Sequence, residues 1–430
     1  MTSASREPAS LIGDCVHCGF CLPTCPTYVL WGQEMDSPRG RIHLMKQHLE
    51  GEPLGPAMVE HFDRCLGCMA CVTSCPSGVR YDRLIETTRQ QVELEHVRPA
   101  AERAVRELIF RLFPHPRRLR MLRGPLRVYQ SSGLDRLAER TGVLRLLQRW
   151  APALAAMERL APPLGRPSRL PRRVAARGRH RATVGMLTGC VQSEFFPEVN
   201  AATARVLALE GCDVVIPPAQ GCCGALSVHA GRREEGRELA RRTIAALEGV
   251  DVVVVNAAGC GSTMKEYGEL LADDPVWAAR ARELSRRTRD LAEFLVELGP
   301  RAERHPLEMT VAYHDACHLS HAQGIRQQPR RLLAEIPGLT VREIPDPDIC
   351  CGSAGIYNLL QPQAAAELGD RKAAGVAGTG AELLVAANPG CSMQIAAALR
   401  RRGKQIAVAH TAQVLDASLR GLGRNALLPR

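Results

Sequence analysis

The stretch CVHCGFCLPTCP, residues 15–26, sets cysteines at 15, 18, 21 and 25 and closes on a proline; CLGCMACVTSCP, residues 65–76, repeats the arrangement at 65, 68, 71 and 75. In a C-x2-C-x2-C-x3-C-P run, three thiolates curve around one face of an iron–sulfur cube, and the fourth, displaced by one extra residue, serves the other cluster. The spacing therefore assigns Cys15, Cys18, Cys21 and Cys75 to one [4Fe-4S] cluster and Cys65, Cys68, Cys71 and Cys25 to a second. Pro26 and Pro76 turn the chain away at each fourth ligand without offering a backbone N–H. Zinc also takes four thiolates, but its sites come as two separated C-x2-C pairs rather than as contiguous runs.

Working outward, the whole chain has 430 residues and 17 cysteines. That length supports two or three packed domains without disulfide staples. The first 30 residues lack the apolar core of a secretory signal, so a reducing, cytoplasmic location is expected, where patterned thiols read as metal or cluster ligands. No run of 18 apolar residues is present, so no membrane-spanning helix is expected.

From residue 181 the sequence alternates strand and helix, and does so twice. ATVGMLTGC (182–190) and MTVAYHDAC (309–317) are short apolar strands ending at a cysteine; each leads through a helix and a strand (DVVIP, LTVREIP) to Cys-Cys-Gly, then through another helix and strand to a last cysteine. This is an internal repeat. Ligands gather beyond the carboxyl ends of strands in such units. Cys190, Cys222, Cys223 and Cys260 should meet in one place, and Cys317, Cys350, Cys351 and Cys391 in another. Glycine after each cysteine pair, Gly224 and Gly352, permits the backbone distortion needed to turn adjacent sulfurs toward one centre. These quartets could hold a further iron–sulfur cluster, zinc, or no metal. His314 and His318 flank Cys317 and could donate to a cluster sulfur as a second layer; His229 reads as a capping or packing residue. Cys212 reads as a buried residue opening a strand.

The expected fold is mixed α and α/β: an N-terminal helical two-cluster ferredoxin-type domain (11–95), an arginine-rich helical connector (96–180), and tandem α/β Cys-Cys-Gly repeats (181–305 and 306–430). APPLGRPSRLPRR (161–173) reads as a linker. The net charge of +11 resides in the middle: residues 111–181 hold 18 arginines, no lysine and three acids. Leu134, Leu137, Leu144 and Leu147 sketch an apolar stripe there, broken at Gly142. An anionic partner is expected for this segment, either an acidic face of a partner protein or the inner membrane surface. The segment offers Tyr129 and Trp150 for stacking but no recognisable binding motif, so nucleic acid is not the expected partner.

The two cysteine runs, the intervening MDSPRGRI (35–42), CPSGVRY (75–81), GCCGALSVHAG (221–231) and NAAGCGSTMKEYG (256–268) resemble the iron–sulfur subunit of glycolate oxidase. The wider Cys-Cys-Gly family includes the small subunit of anaerobic glycerol-3-phosphate dehydrogenase, a lactate-utilisation protein and the Cys-Cys-Gly component of heterodisulfide reductase. The resemblance implies an oxidoreductase subunit that carries electrons without touching substrate. It would relay them from flavoprotein partners oxidising glycolate, or alternatively lactate or glycerol-3-phosphate, to a quinone or other membrane acceptor. No flavin is expected on this chain: GVAGTG (375–380) falls between a helix and a strand, where it reads as a turn rather than a dinucleotide loop. A thiol-disulfide reductase of the heterodisulfide type is the alternative from another class. In that relative each repeat ends C-x-x-C, whereas Thr263 and Gln394 stand at the fifth positions here, which counts against it.

Overall fold

The computed structural model describes residues 8–165 and 170–428. Part of the linker expected over 161–173 therefore falls outside the described residues, as do the first seven positions of the chain.

The N-terminal region is built from short helices that begin on proline, at Pro26–Trp31, Pro38–Leu49 and Pro56–Asp63, followed by Ala70–Thr73 and Tyr81–Glu95. Proline suits a first helical turn because its fixed φ is helical and its missing N–H would have had no partner there. Ile42, Phe62, Leu84 and Ile85 form the centre of this region's core, with Cys65 and Cys71 among its walls. The MDSPRGRI stretch is a built corner. Ser37 accepts a bond from Gly40 N at 3.0 Å, capping the helix, and a Cβ on Gly40 would lie 2.0 Å from the Glu34 carbonyl oxygen.

The connector folds as successive helices, Ala100–Leu112, Pro116–Ser131, Leu134–Arg140, Val143–Trp150 and Pro152–Leu160. Pro99 caps the first of these and Gly142, in the left-handed region at φ 75°, separates two others. The expected leucine stripe is split. Leu144 is buried, whereas Leu134 and Leu137 are exposed, because the Gly142 turn rotates one helix against the next. Val143, Leu146 and Trp150, the last 82% exposed, join Leu134 and Leu137 among the connector's exposed apolar residues, as do Met121 and Val128.

Strands β1 (Arg173–Val174), β2 (Ala182–Met186), β3 (Cys212–Val215), β4 (Val252–Val255) and β5 (Thr288–Asp290) form one sheet in the order β1-β3-β2-β4-β5. β6 (Met309–His314), β7 (Leu339–Glu343), β8 (Leu383–Ala386) and β9 (Ala407–Ala409) form a second, ordered β7-β6-β8-β9. All pairings are parallel except β1 with β3. VVVV and LLVA in β4 and β8 are the unbroken apolar runs that a strand covered on both faces requires. Corresponding strands of the repeats agree, and β1 extends the first sheet ahead of residue 181.

The two sheets share one core. Val184, Met186 and Val254 lie in the same cluster as Val311, Tyr313, Leu383 and Val385, so the repeats fold as a pair. Arg205 clasps Asp416 through two bonds of 2.8 and 2.7 Å, tying helix Pro197–Leu209 of one repeat to helix Thr411–Leu419 of the other. His410 accepts from Ala412 N at Nδ1, which leaves its protonated Nε2 to donate to the Asn256 carbonyl at 2.8 Å.

Candidate metal centres

Every predicted ligand is a free thiol. Cys15, Cys18, Cys21 and Cys75 line one small cavity, and Cys25, Cys65, Cys68 and Cys71 line another. Cys71 borders both, so the cavities adjoin. Each therefore collects three sulfurs from one run and the fourth from the other run, because Cys25 and Cys75 end their loops facing the opposite run.

The two settings differ. Around the first cavity Cys18 is exposed, Cys15, Cys21 and Cys75 are half-buried, and Val16 and Phe20 stand beside them at 68% and 65% exposure. The four cysteines of the second are all buried. Beneath them lies Arg41, itself 1% exposed. Its Nε donates to the His61 carbonyl at 2.6 Å, and Nη2 donates to Thr27 Oγ1 at 3.1 Å and to the fully buried Asp36 at 3.4 Å. Nη1 reaches Cys25 Sγ at 4.0 Å. Tyr81 Oη and Gly67 N donate to Cys65 Sγ at 3.7 and 3.4 Å. Burial raises the Cys65 thiol, but Arg41 and Arg89 outweigh it, and the group ends below its ordinary value. Cys68 and Cys71 are driven well above theirs, first by burial and then by neighbouring thiols. Burial also lifts Cys21 to about 11. Such crowded thiols ionise together only around a strongly positive centre, so the donor set fits an iron–sulfur cube.

Both Cys-Cys-Gly quartets converge as expected. Cys190 Sγ donates to Cys222 Sγ at 3.5 Å, and Cys222 is followed by the linked pair Cys223 and Cys260. In the second repeat Cys317 and Cys350 lie 3.9 Å apart, and Cys351 contacts Cys391. Gly224 and Gly352 have φ of 86° and 89°, and a Cβ there would meet the Gly236 and Ala365 carbonyls at 2.9 and 2.6 Å. That is why each pair is followed by glycine. Cys212 opens β3, fully buried.

The second quartet lies against the dicluster domain: Cys350 shares a cluster with Leu66 and Cys68, with Cys317 packed beside them. No such contact links the first quartet to either N-terminal cavity among the described residues.

The histidines separate. His314 ends β6, buried, with Nε2 lacking a hydrogen-bond partner, and one of its nitrogens lies with Cys351 and Cys391 Sγ inside a 4.8 Å group. His318 does not serve a sulfur, because Nδ1 pairs with Ser262 Oγ at 2.9 Å and Nε2 with the Gly67 carbonyl at 3.0 Å. It braces the loop between Cys65 and Cys68. His229 is neither cap nor filler: it bonds Glu86 at 3.0 Å and Thr263 at 3.2 Å and meets the His318 ring edge-on at 4.8 Å. These residues border a cleft of about 460 Å³ between the dicluster domain and the repeats, which Cys65 and Tyr357 also line. At the positions of the missing fifth cysteines, Thr263 is held by His229, and Gln394 by the Ala365 carbonyl at 2.6 Å and Asn358 at 3.2 Å. Both are committed to the scaffold.

Sequence reading missed Arg41 and Asp36 as a buried pair, although both fall in the MDSPRGRI stretch. It also missed Lys372, 4% exposed near Cys350 and Cys351 with its Nζ on the Asp346 carbonyl at 2.7 Å. The available signal was its rarity, in a chain with four lysines against 52 arginines.

A chain organised this way conducts electrons: it is an iron–sulfur protein of the dicluster, cysteine-rich kind. A 4Fe-4S dicluster domain family matches residues 12–79, a cysteine-rich domain family matches 184–265 and 311–396, and the linker region of the glycolate oxidase iron-sulfur subunit matches 101–161. The probable glycolate oxidase iron-sulfur subunit of Bacillus subtilis (strain 168) is 40% identical over 94% of this chain and 93% of its own length. The glycolate oxidase iron-sulfur subunit of Escherichia coli (strain K12) is 37% identical over 96% and 95%. The chain belongs to the family of glycolate oxidase iron–sulfur subunits, the electron-transfer components of an oxidoreductase complex. Lactate utilization protein A of Halalkalibacterium halodurans is 33% identical over 54% of this chain and 96% of its own. Among solved structures, a hypothetical protein from Helicobacter pylori superposes with TM-score 0.53 over 96% of this chain and 76% of its own; at 9% identity this likeness concerns the fold alone. No helix among the described residues is long and apolar enough to cross a membrane.

Proposed function

We propose that this chain relays electrons from flavoprotein partners oxidising glycolate toward a quinone or another membrane acceptor, through two [4Fe-4S] clusters held by Cys15, Cys18, Cys21, Cys75 and by Cys65, Cys68, Cys71, Cys25. The observation that carries this reading is the pair of adjoining cavities, each lined by one of those quartets. Clusters bound there would take up and release one electron at a time, converting the two-electron output of a flavin into single steps. The protein's own part is to set direction and potential. Val16 and Phe20 beside exposed Cys18 make the first site the entry point for a docked flavoprotein, and Arg41 favours the more negative, reduced state at the buried second site. Cys68 then abuts the second-repeat quartet. The cleft beside Cys65 is the place on this chain where a small acceptor would approach, near the Tyr357 hydroxyl, which has no hydrogen-bond partner. The arginine-rich connector with its exposed apolar residues is the docking face for a partner protein or the inner membrane surface, at the cytoplasmic side.

The thiol-disulfide reductase reading is disfavoured by Thr263 and Gln394, whose side chains are engaged elsewhere. The test is oxygen-free purification of the full chain with and without its flavoprotein partners. The chain alone should carry about eight or more irons, show two [4Fe-4S] signals on reduction, and oxidise no glycolate. Cys25→Ser and Cys75→Ser should each perturb the cluster whose other three ligands come from the opposite run. Turnover of glycolate by the isolated chain, or perturbation confined to the cluster of the mutated run, would overturn it.

A further inference from the structure

We infer that His314 is a nitrogen ligand to a redox-active iron–sulfur cluster held by Cys317, Cys350, Cys351 and Cys391, which makes the second Cys-Cys-Gly site the onward station of the relay and sets it apart from the first. The inference builds on the relay reading but concerns a different site.

Three observations converge. The imidazole is 2% exposed, Nε2 is unpartnered, and one ring nitrogen lies within a 4.8 Å group with the sulfurs of Cys351 and Cys391. A buried polar nitrogen left without a partner keeps its full desolvation cost, so its place in a native interior calls for a ligand. Second, the repeat supplies four thiols and one imidazole. A tetrahedral zinc ion uses four donors in a closed site, so a fifth converging donor suits a cluster of several irons. Gln394, where a fifth cysteine would stand, is bonded to Ala365 and Asn358, and the extra donor arrives instead from the end of β6. Third, the site is placed to receive electrons: Cys350 and Cys317 pack with Cys68 of the buried N-terminal quartet.

The first repeat lacks all three features. Leu187 stands three residues before Cys190, as His314 stands before Cys317, and it is an apolar core residue. Its quartet has no comparable packing against an N-terminal cysteine among the described residues. One repeat is therefore a five-donor redox site, the other a four-thiol site. A cluster held by these residues would supply outer-sphere electron transfer, one electron in from the Cys68 side and one out, with no bond made or broken. As the fifth donor a neutral imidazole adds no negative charge, so the potential would lie above that of the same site with a fifth thiolate at this position.

The test uses the full chain, purified without oxygen and labelled with 15N-histidine. The reduced native protein should hold about twelve irons or more, against eight for the N-terminal sites alone. Pulsed paramagnetic resonance should show a histidine nitrogen coupling on one cluster. His314→Cys should retain that iron, lose the coupling, and titrate at a lower midpoint; this variant keeps a donor in place should His314→Leu fail to fold. A coupling that survives in His314→Cys, no histidine coupling in the native protein, or zinc in place of iron at this site would each overturn the inference. All three outcomes leave the two N-terminal signals, and the relay reading based on them, standing.

Discussion

Replacing Arg41 should lower the midpoint potential of one N-terminal cluster and leave the other nearly unmoved. The guanidinium is buried, and Nη1 lies 4.0 Å from Cys25 Sγ. A unit charge at 4 Å contributes about 4 kcal/mol at an effective dielectric constant near 20, and about 2 kcal/mol at 8 Å, a distance suited to charge spread over a cube. Reduction adds one negative charge, so loss of the cation disfavours the reduced state by that range. At about 59 mV per tenfold change for one electron, this is a fall of roughly 90–170 mV. Asp36 would keep His61 and Arg64 as partners, at 2.9 and 3.0 Å, which lets Arg41→Gln fold. Arg41→Lys retains the charge and is the control, expected within about 30 mV of the native value because most of the Coulomb contribution survives. The assay is an oxygen-free redox titration followed by paramagnetic resonance, with iron counted in each preparation. A shift below about 30 mV in Arg41→Gln with full iron content, or equal shifts in both clusters, would refute the reasoning.

Gly40→Ala should prevent assembly of the dicluster domain, since its Cβ would fall 2.0 Å from the Glu34 carbonyl; the visible absorbance per chain checks this, and wild-type absorbance would refute it. Burial holds His410 at about 4, below its ordinary 6.5, so the folded state keeps it neutral while the unfolded chain protonates. Its contribution is therefore complete above pH 6.5 and is lost as pH falls toward 4: about 2 kcal/mol between pH 7.5 and 5. Denaturant unfolding of native protein and His410→Gln at both pH values should show the variant lacking that part of the slope. The connector should bind vesicles rich in anionic phospholipid at low salt and release at about 1 M, where the Debye length shrinks to ~3 Å. Trp150→Ala should weaken binding about tenfold or more, as loss of a buried aromatic contact costs at least ~1.5 kcal/mol. Binding insensitive to both salt and this substitution would refute membrane docking.

The thiol geometry was legible because ligand spacing is a local property: a three-residue interval bends a short loop around one centre whatever surrounds it. The repeat was legible too, since four-residue runs such as Val252–Val255 and Leu383–Ala386 announce covered parallel strands. Strand β5, with sequence Thr-Arg-Asp, carried no apolar pattern, and becomes a strand only because β4 offers it an edge. The different fates of His314 and His318 were equally hidden. They are four residues apart, yet one closes a strand and faces sulfurs, while the other sits on a short helix and braces a loop some 250 residues distant in the chain. The connector misled for a related reason: helical periodicity assumes one continuous helix, and the turn at Gly142 resets the phase between Leu137 and Leu144.

The exchange of Cys25 and Cys75 between the two cavities has a bearing on biosynthesis. A nascent chain that has left the ribosome only as far as residue 30 possesses neither complete cage, and finishing the second run completes both together. In the proposed ligand assignment, iron delivery would wait for the paired loops to close on each other, and a half-loaded domain would be an assembly error rather than a stage on the way.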